Sequence, residues 1–271
     1  MKTVKHARPL ICDTDTARLR MFIYPAIVFG SLFCTGILYA GSAVRFPLPG
    51  QYGEKAAIVY DDNGERIGQA TVSMKKNDND LVKIIVRIAL DSGIKARMKA
   101  DLKFSDDKKS LLLVFQETRT SNTEGHLINR MWVDHIRRKA VCINAKNEKL
   151  YINIPDDDRI VNVPLNLLLK TVAAGDKDRV GFQTLVCGDD IKLLDTDVER
   201  KATRTKTGIV ETRYQFDLGL FLSVLATPFL PRISFWFESG YPNAWIGYRM
   251  PLYSNGPTVL VLRDDYSPED L

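Results

Sequence analysis

Beyond residue 53, hydrophobic and polar residues alternate with period two through much of the chain. In Leu81–Leu90 the even positions Val82, Ile84, Val86, Ile88 and Leu90 are apolar, while Lys83 and Arg87 fall on the other face. In Arg97–Phe104 the alternation is complete, with Met98, Ala100, Leu102 and Phe104 set against Arg97, Lys99, Asp101 and Lys103. A helix would scatter these charges around its circumference. A pleated strand puts them on one side and leaves the other for a core. Upstream, Lys55–Tyr60 runs into Asp61-Asp62-Asn63-Gly64, whose Asn-Gly pair suits the positive φ angles of a tight turn. Glu65–Met74 is therefore expected to return antiparallel, with a bulge at Gly68. Further strands are predicted at Leu111–Thr118, His126–Ile136, Lys139–Asn144 and Lys149–Ile154, then at Arg179–Cys187, Ile191–Glu199 and Ile209–Leu218. Ile233–Arg263 reads as two or three more. Short strands separated by polar turns describe an antiparallel meander, without the βαβ alternation of a parallel fold.

Helical spacing appears at Val163–Ala174. Leu165, Leu168, Leu169 and Val172 form one stripe, Gly175 ends it, and Asn162 stands where an N-cap is needed. Pro164 then falls in the first turn, where a missing N–H costs little. The predicted fold is mainly β: a curved antiparallel sheet or open half-barrel with one covering helix, behind an N-terminal hydrophobic export or anchor helix.

That leading helix is read from Met21–Ala40, which lies in a charge-free run and is about as long as the roughly 20 residues a bilayer core requires. Lys2, Lys5, Arg8, Arg18 and Arg20 precede it against Asp13 and Asp15, so the arm stays inside and the rest of the chain is exported. Two readings stand: a signal peptide cleaved near Gly41-Ser42-Ala43, or a retained signal anchor. Phe33 before Cys34 does not fit a lipoprotein signal. The organisation is then a basic arm with signal or anchor at 1–43, a Pro/Gly linker at 44–53, a β-rich envelope domain at 54–263 and an acidic, frayed tail at 264–271. The expected location is the periplasm, either soluble after cleavage or tethered to the inner membrane through residues 21–40.

Charge changes this picture little. The whole chain carries +5, but the part after residue 43 has 33 basic and 31 acidic side chains, so the excess belongs largely to the targeting arm. No basic stripe and no cytosolic address favour nucleic acid. Two of the four cysteines, Cys142 and Cys187, lie in the exported part. They read either as a disulfide in an oxidising compartment or as two buried thiols.

Candidate chemistry is sparse. No G-x-S-x-G, H-E-x-x-H, C-x-x-C or phosphate-cradling glycine loop occurs. Asp134 and His135 are neighbours that a strand would point to opposite faces. Asp156-Asp157-Asp158 lacks the spacing of a calcium loop and reads as a solvated turn. Arg137-Arg138-Lys139 and Arg200–Lys206 read as strand ends and exposed faces. No catalytic residue, metal or cofactor is expected. Leu218–Pro231 is a second charge-free run, too short to span a bilayer as helix. It reads either as plain core or as the border of a hydrophobic ligand site lined by Phe221, Leu225 and Phe229.

These residues together resemble a family of bacterial envelope proteins classed as a domain of unknown function. The likeness covers roughly Glu54–Arg263. It is carried by the strand–Gly–strand opening with Gly64 and Gly68, by Val163-Pro164-Leu165 at the helix start, and by Trp236, Pro242 and the last hairpin around Gly256 ending at Leu262. The Trp245–Tyr253 segment departs from the family pattern. The resemblance implies a curved antiparallel sheet, similar in shape to the lipoprotein-carrier (LolA/LolB-like) half-barrels, and no catalytic residue. The expected function is non-enzymatic binding or carriage of a lipid-like ligand. The alternatives are a structural or assembly role toward another envelope protein and, third, a hydrolase using His135 or an acidic pair.

Overall fold

The computed structural model describes residues 43–200, 208–217, 233–254 and 256–271. The segment 21–40, read above as an export or anchor helix, and the run at 218–231 lie outside them. In chain order the elements are β1 (Arg45–Phe46), β2 (Gly53–Tyr60), β3 (Arg66–Lys76), β4 (Leu81–Leu90), β5 (Lys95–Phe104), β6 (Leu111–Ser121), β7 (Leu127–Asp134), β8 (Lys139–Ile143) and β9 (Lys149–Asn153). They continue with helix α1 (Leu165–Ala174), β10 (Arg179–Cys187), β11 (Ile191–Arg200), β12 (Ile209–Asp217), β13 (Ser234–Glu238), β14 (Trp245–Pro251) and β15 (Thr258–Arg263). All fifteen strands belong to one sheet, ordered β10 to β15 and then β2 to β9, with β1 laid against β6. The β15–β2 pairing, Val261 opposite Val59, joins the two halves of the chain. The sheet does not close: β9 and β10 are its edges.

β4 takes the bounds its alternation predicts, and its even positions are buried. The β2–β3 turn is held by the Asp61 carboxylate, which accepts the backbone N–H groups of Asn63 at 2.9 Å and Glu65 at 2.8 Å. The bulge falls beside Gly68: Val59 faces Gly68 while Tyr60 faces Arg66, leaving Ile67 unmatched. A Cβ on Gly68 would stand 2.4 Å from the carbonyl oxygen of Ala89, so β3 and β4 approach more closely there than a side chain permits. Gly68→Ala should therefore destabilise by about 1–3 kcal/mol, as overpacking does. A urea midpoint equal to wild type would show that the two strands can part at no cost.

Three expectations need correction. The segment 44–53 is more than a linker, because Arg45–Phe46 pairs with Leu111–Leu112 and Phe46 is fully buried. Asn162 does not cap α1: Pro164 holds the cap position without a side-chain bond, since Asn162 is drawn to β10 instead. The tail is folded. Arg263 meets Glu238 at 2.6 Å and Asp265 at 2.5 Å, Tyr266 and Leu271 pack on a cluster with Trp236 and Ile246, and Ser267 caps the 3-10 turn Pro268–Asp270.

α1 does more than cover one side. Leu167 is buried together with Leu165, Leu168, Leu169 and Val172. These side chains join those of β2–β6 and β12–β15 in one core, so the helix fills the hollow of the sheet. A second, smaller core under β7–β9 contains Met131, Val133, Ile154, Ile160 and Leu185.

Candidate functional site

Residues 155–163 run from β9 to α1 across the open side of the sheet. Ile160 makes one parallel bridge with Gln183 on β10. Around it Val161 N–H donates to Gln183 O and Gln183 N–H donates to Arg159 O, both at 2.8 Å. Asn162 extends this pairing with its side chain, accepting Leu185 N–H at 3.1 Å and donating to Leu185 O at 2.8 Å. The carboxamide thus acts as a further stretch of backbone on the edge of β10. Nearby, Cys142 on β8 is joined to Cys187 at the end of β10, with Cα atoms 5.8 Å apart. Lys146 and Asp189 add an ion pair at 2.8 Å beside that bridge.

The partner of His135 is Asp158, not its neighbour Asp134. His135 Nδ1 lies 2.8 Å from Asp158 Oδ2, and His135 Nε2 lies 2.9 Å from Gln116 Nε2. The orientation of Gln116 follows from its other bonds. Its Oε1 accepts the backbone N–H groups of Asn162 at 2.7 Å and Val163 at 3.1 Å, and its Nε2 donates to Ile160 O at 2.9 Å. The remaining amide hydrogen points at His135, so Nε2 of the ring is the acceptor and Nδ1–H donates to Asp158. All three side chains are buried. Asp158 is therefore no solvated turn residue, although Asp156 and Asp157 are exposed.

A base needs a proton to take and a place for the molecule that carries it. Both imidazole nitrogens of His135 are occupied, and the gap beside Gln116 leaves no room for a water-sized molecule. Among the described residues no group of three His, Cys, Asp or Glu side chains is placed to hold a metal. The network is a clasp on the segment 158–163, and its arrangement supports no reaction.

Open space lies elsewhere. A cleft of about 320 Å³ sits where residues 49–55, α1 and the β13–β14 turn meet. Val72, Met74, Leu167 and Phe237 supply apolar walls, while Lys55, Lys170, Asn166 and the carboxylate of Glu54 bring polar ends. Trp245 lines the same cleft, and its indole N–H is buried without a hydrogen-bond partner. Burial holds the Lys170 ammonium below the ordinary lysine range; Asp176 opposes the shift and Lys55 adds to it. Deeper, between α1 and the sheet, a void of about 20 Å³ touches Trp245 and Tyr248, room for about one water. Of the five large apolar side chains left exposed among the described residues, Tyr52 lines the cleft, while Leu48 and Tyr241 each precede a lining residue, Pro49 and Pro242.

Of the residues singled out in the sequence, Phe221, Leu225 and Phe229 lie outside the described residues. Cys142 and Cys187 are joined to each other, and His135 is held separately between Gln116 and Asp158. The cleft had one overlooked signal: Lys170 is the single charged residue in a helix of mostly buried apolar side chains. No family model and no curated protein matches the chain. A solved structure is similar in outline. It is described as a beta-barrel-like protein of domain of unknown function DUF1849 from Brucella abortus, aligned over 82% of this chain and 96% of that one at 11% identity, with a TM-score of 0.41. The likeness carries no residue role and no activity across.

Proposed function

We propose that this is a non-enzymatic binding protein of the bacterial envelope, which seats the anionic end of an amphipathic, lipid-like molecule in the cleft beside α1. One observation supports it above others: the half-buried Lys170 ammonium, together with Lys55, lines a cleft with apolar walls. A half-buried charge is costly without a partner, and an acidic head group would supply one. At about 320 Å³ the cleft is at the small end of ligand sites, so it holds a head and a short stretch of chain. Among the described residues the core is filled, leaving only a void of about 20 Å³ beside α1, so the rest of the ligand lies along Leu48, Tyr52 and Tyr241. The export segment and an oxidised Cys142–Cys187 pair support the envelope as the location.

The test is native mass spectrometry with lipid extraction on protein purified from the envelope, followed by titration with a fluorescent fatty acid. Gly50 is exposed, and its Cα hydrogen faces Lys170 Nζ, 3.4 Å from where a Cβ would stand. Gly50→Trp should close the mouth and weaken binding at least tenfold while leaving the melting temperature unchanged. Lys170→Glu should remove the preference for an acid over the matching alcohol. A wild-type protein that carries no lipid and binds no fatty acid removes the proposal. The alternative, docking of another envelope protein, has its own observation: the unpaired edge of β9 with Tyr151 exposed.

A further inference from the structure

The outer face of the sheet carries a row of arginines that neither the clasp nor the cleft uses. Strand alternation turns Arg87, Arg97, Arg119 and Arg130 to the solvent side of β4, β5, β6 and β7. The register sets them directly opposite one another: Arg87 against Arg97, Arg97 against Arg119, Arg119 against Arg130. Neighbouring strands lie roughly 4.8 Å apart, so the row is a ladder of cations at that spacing. Like charges in directly opposed positions repel.

Several other cations are matched with acids: Lys99 with Asp101 at 2.6 Å, Lys76 with Asp80 at 2.8 Å, Arg138 with Asp156 at 2.7 Å. In the row itself only Arg130 is matched. It bonds Glu117 at 2.7 Å and stacks on Trp132 at 4.8 Å. Arg87, Arg97 and Arg119 have no hydrogen bond or ion pair among the described residues, and neither has Lys95, one register row further along. The four unmatched cations border a shallow hollow of about 570 Å³ over β2–β6. Its floor is made of small side chains, among them Ala56, Ala89 and Thr71.

We propose that this hollow binds a ligand carrying two or more phosphate groups close together. Guanidinium forks match phosphate oxygens in pairs, and a line of three at strand spacing grips neighbouring phosphates where a single phosphate meets one or two. The alanine floor leaves room for the sugar or glycerol unit that links them. The repulsion along the row is relieved when the ligand is seated. The site is independent of the cleft beside α1, since it lies on the opposite face of β3 and shares none of the cleft's residues. A multiply phosphorylated lipid head group and a soluble polyphosphate present the same chemistry, and the experiment separates them.

Calorimetric titration with inorganic tripolyphosphate should show saturable binding that weakens as salt rises, with orthophosphate at least tenfold weaker. Arg97→Gln, at the centre of the row, should reduce tripolyphosphate affinity at least tenfold. The same variant should melt at or above the wild-type temperature, because it removes repulsion; a merely structural arginine would lower it. Co-sedimentation with vesicles containing phosphorylated phosphoinositides, compared with phosphatidylcholine vesicles, identifies the source. Sedimentation lost in Arg97→Gln assigns a lipid head group, and binding of tripolyphosphate alone assigns a soluble ligand. The proposal is overturned by no binding in either arm, by equal binding of orthophosphate, or by an Arg97→Gln variant that binds as tightly as wild type. An oligonucleotide that competes as well as tripolyphosphate also overturns it, leaving only a non-specific polyanion surface.

Discussion

Gln116→Leu is expected to destabilise the protein by about 4 kcal/mol or more, a large share of the 5–15 kcal/mol that typically holds a domain folded. Leucine matches the shape and removes every bond. Two backbone N–H groups, of Asn162 and Val163, lose their acceptor, while Ile160 O and His135 Nε2 lose their donor. Each buried group left unpaired costs about 1–3 kcal/mol, and no water can enter to replace the amide. The effect should also spread, because Gln116 orients the ring that holds Asp158. His135→Phe alone should cost less, since it strands one amide hydrogen and removes one bond from the Asp158 carboxylate. The double variant should cost less than the sum of the singles, which is the mark of a shared network. Urea unfolding of the three variants measures all of this. A Gln116→Leu protein within about 1 kcal/mol of wild type would mean the clasp contributes little beyond packing.

The sequence made the strands legible where one face had to be dry. Val82 to Leu90 and Met98 to Leu102 alternate because the core lies on one side, and that local constraint is written residue by residue. What closes the open side is not local. Asp158 sits in an acidic run that looks solvated until His135, 23 residues earlier, is brought to it. Asn162 has the right type and place for a helix cap, and only the proximity of β10 shows why it bonds Leu185 instead. The tail reads as polar and frayed by composition, yet Tyr266 and Leu271 find an apolar patch on the outer side of β13–β15. The arginines illustrate the same limit. Arg87 and Arg97 are visible as outward residues of two strands, but that they face one another, and then Arg119, depends on turn lengths and on a bulge between Asp101 and Leu102. The cleft is assembled from four separate stretches of chain, so no window of sequence contains it.

The Cys142→Ala, Cys187→Ala double variant should lose about 4 kcal/mol, the chain-entropy value for closing a loop of this length. The bridge spans 45 residues and ties β8 to the end of β10, the two sides that the sheet itself leaves unjoined. Both cysteines are buried, so alanine adds only a small packing loss. The effect is predicted to act mainly on the unfolded chain: without the bridge, residues 142–187 regain the freedom that the link denies them. Two controls separate this from damage to the fold. Wild type treated with dithiothreitol should fall to the stability of the double variant, and the double variant should not respond to the reductant. The ion pair of Lys146 with Asp189 and the bond from Asn144 to Gly188 O remain in both, so native circular dichroism should be unchanged. Each single variant should match the double, since one cysteine alone closes no loop. A double variant as stable as untreated wild type would show that the clasp through Gln116 already holds the open side shut, and that the disulfide adds nothing the network does not supply.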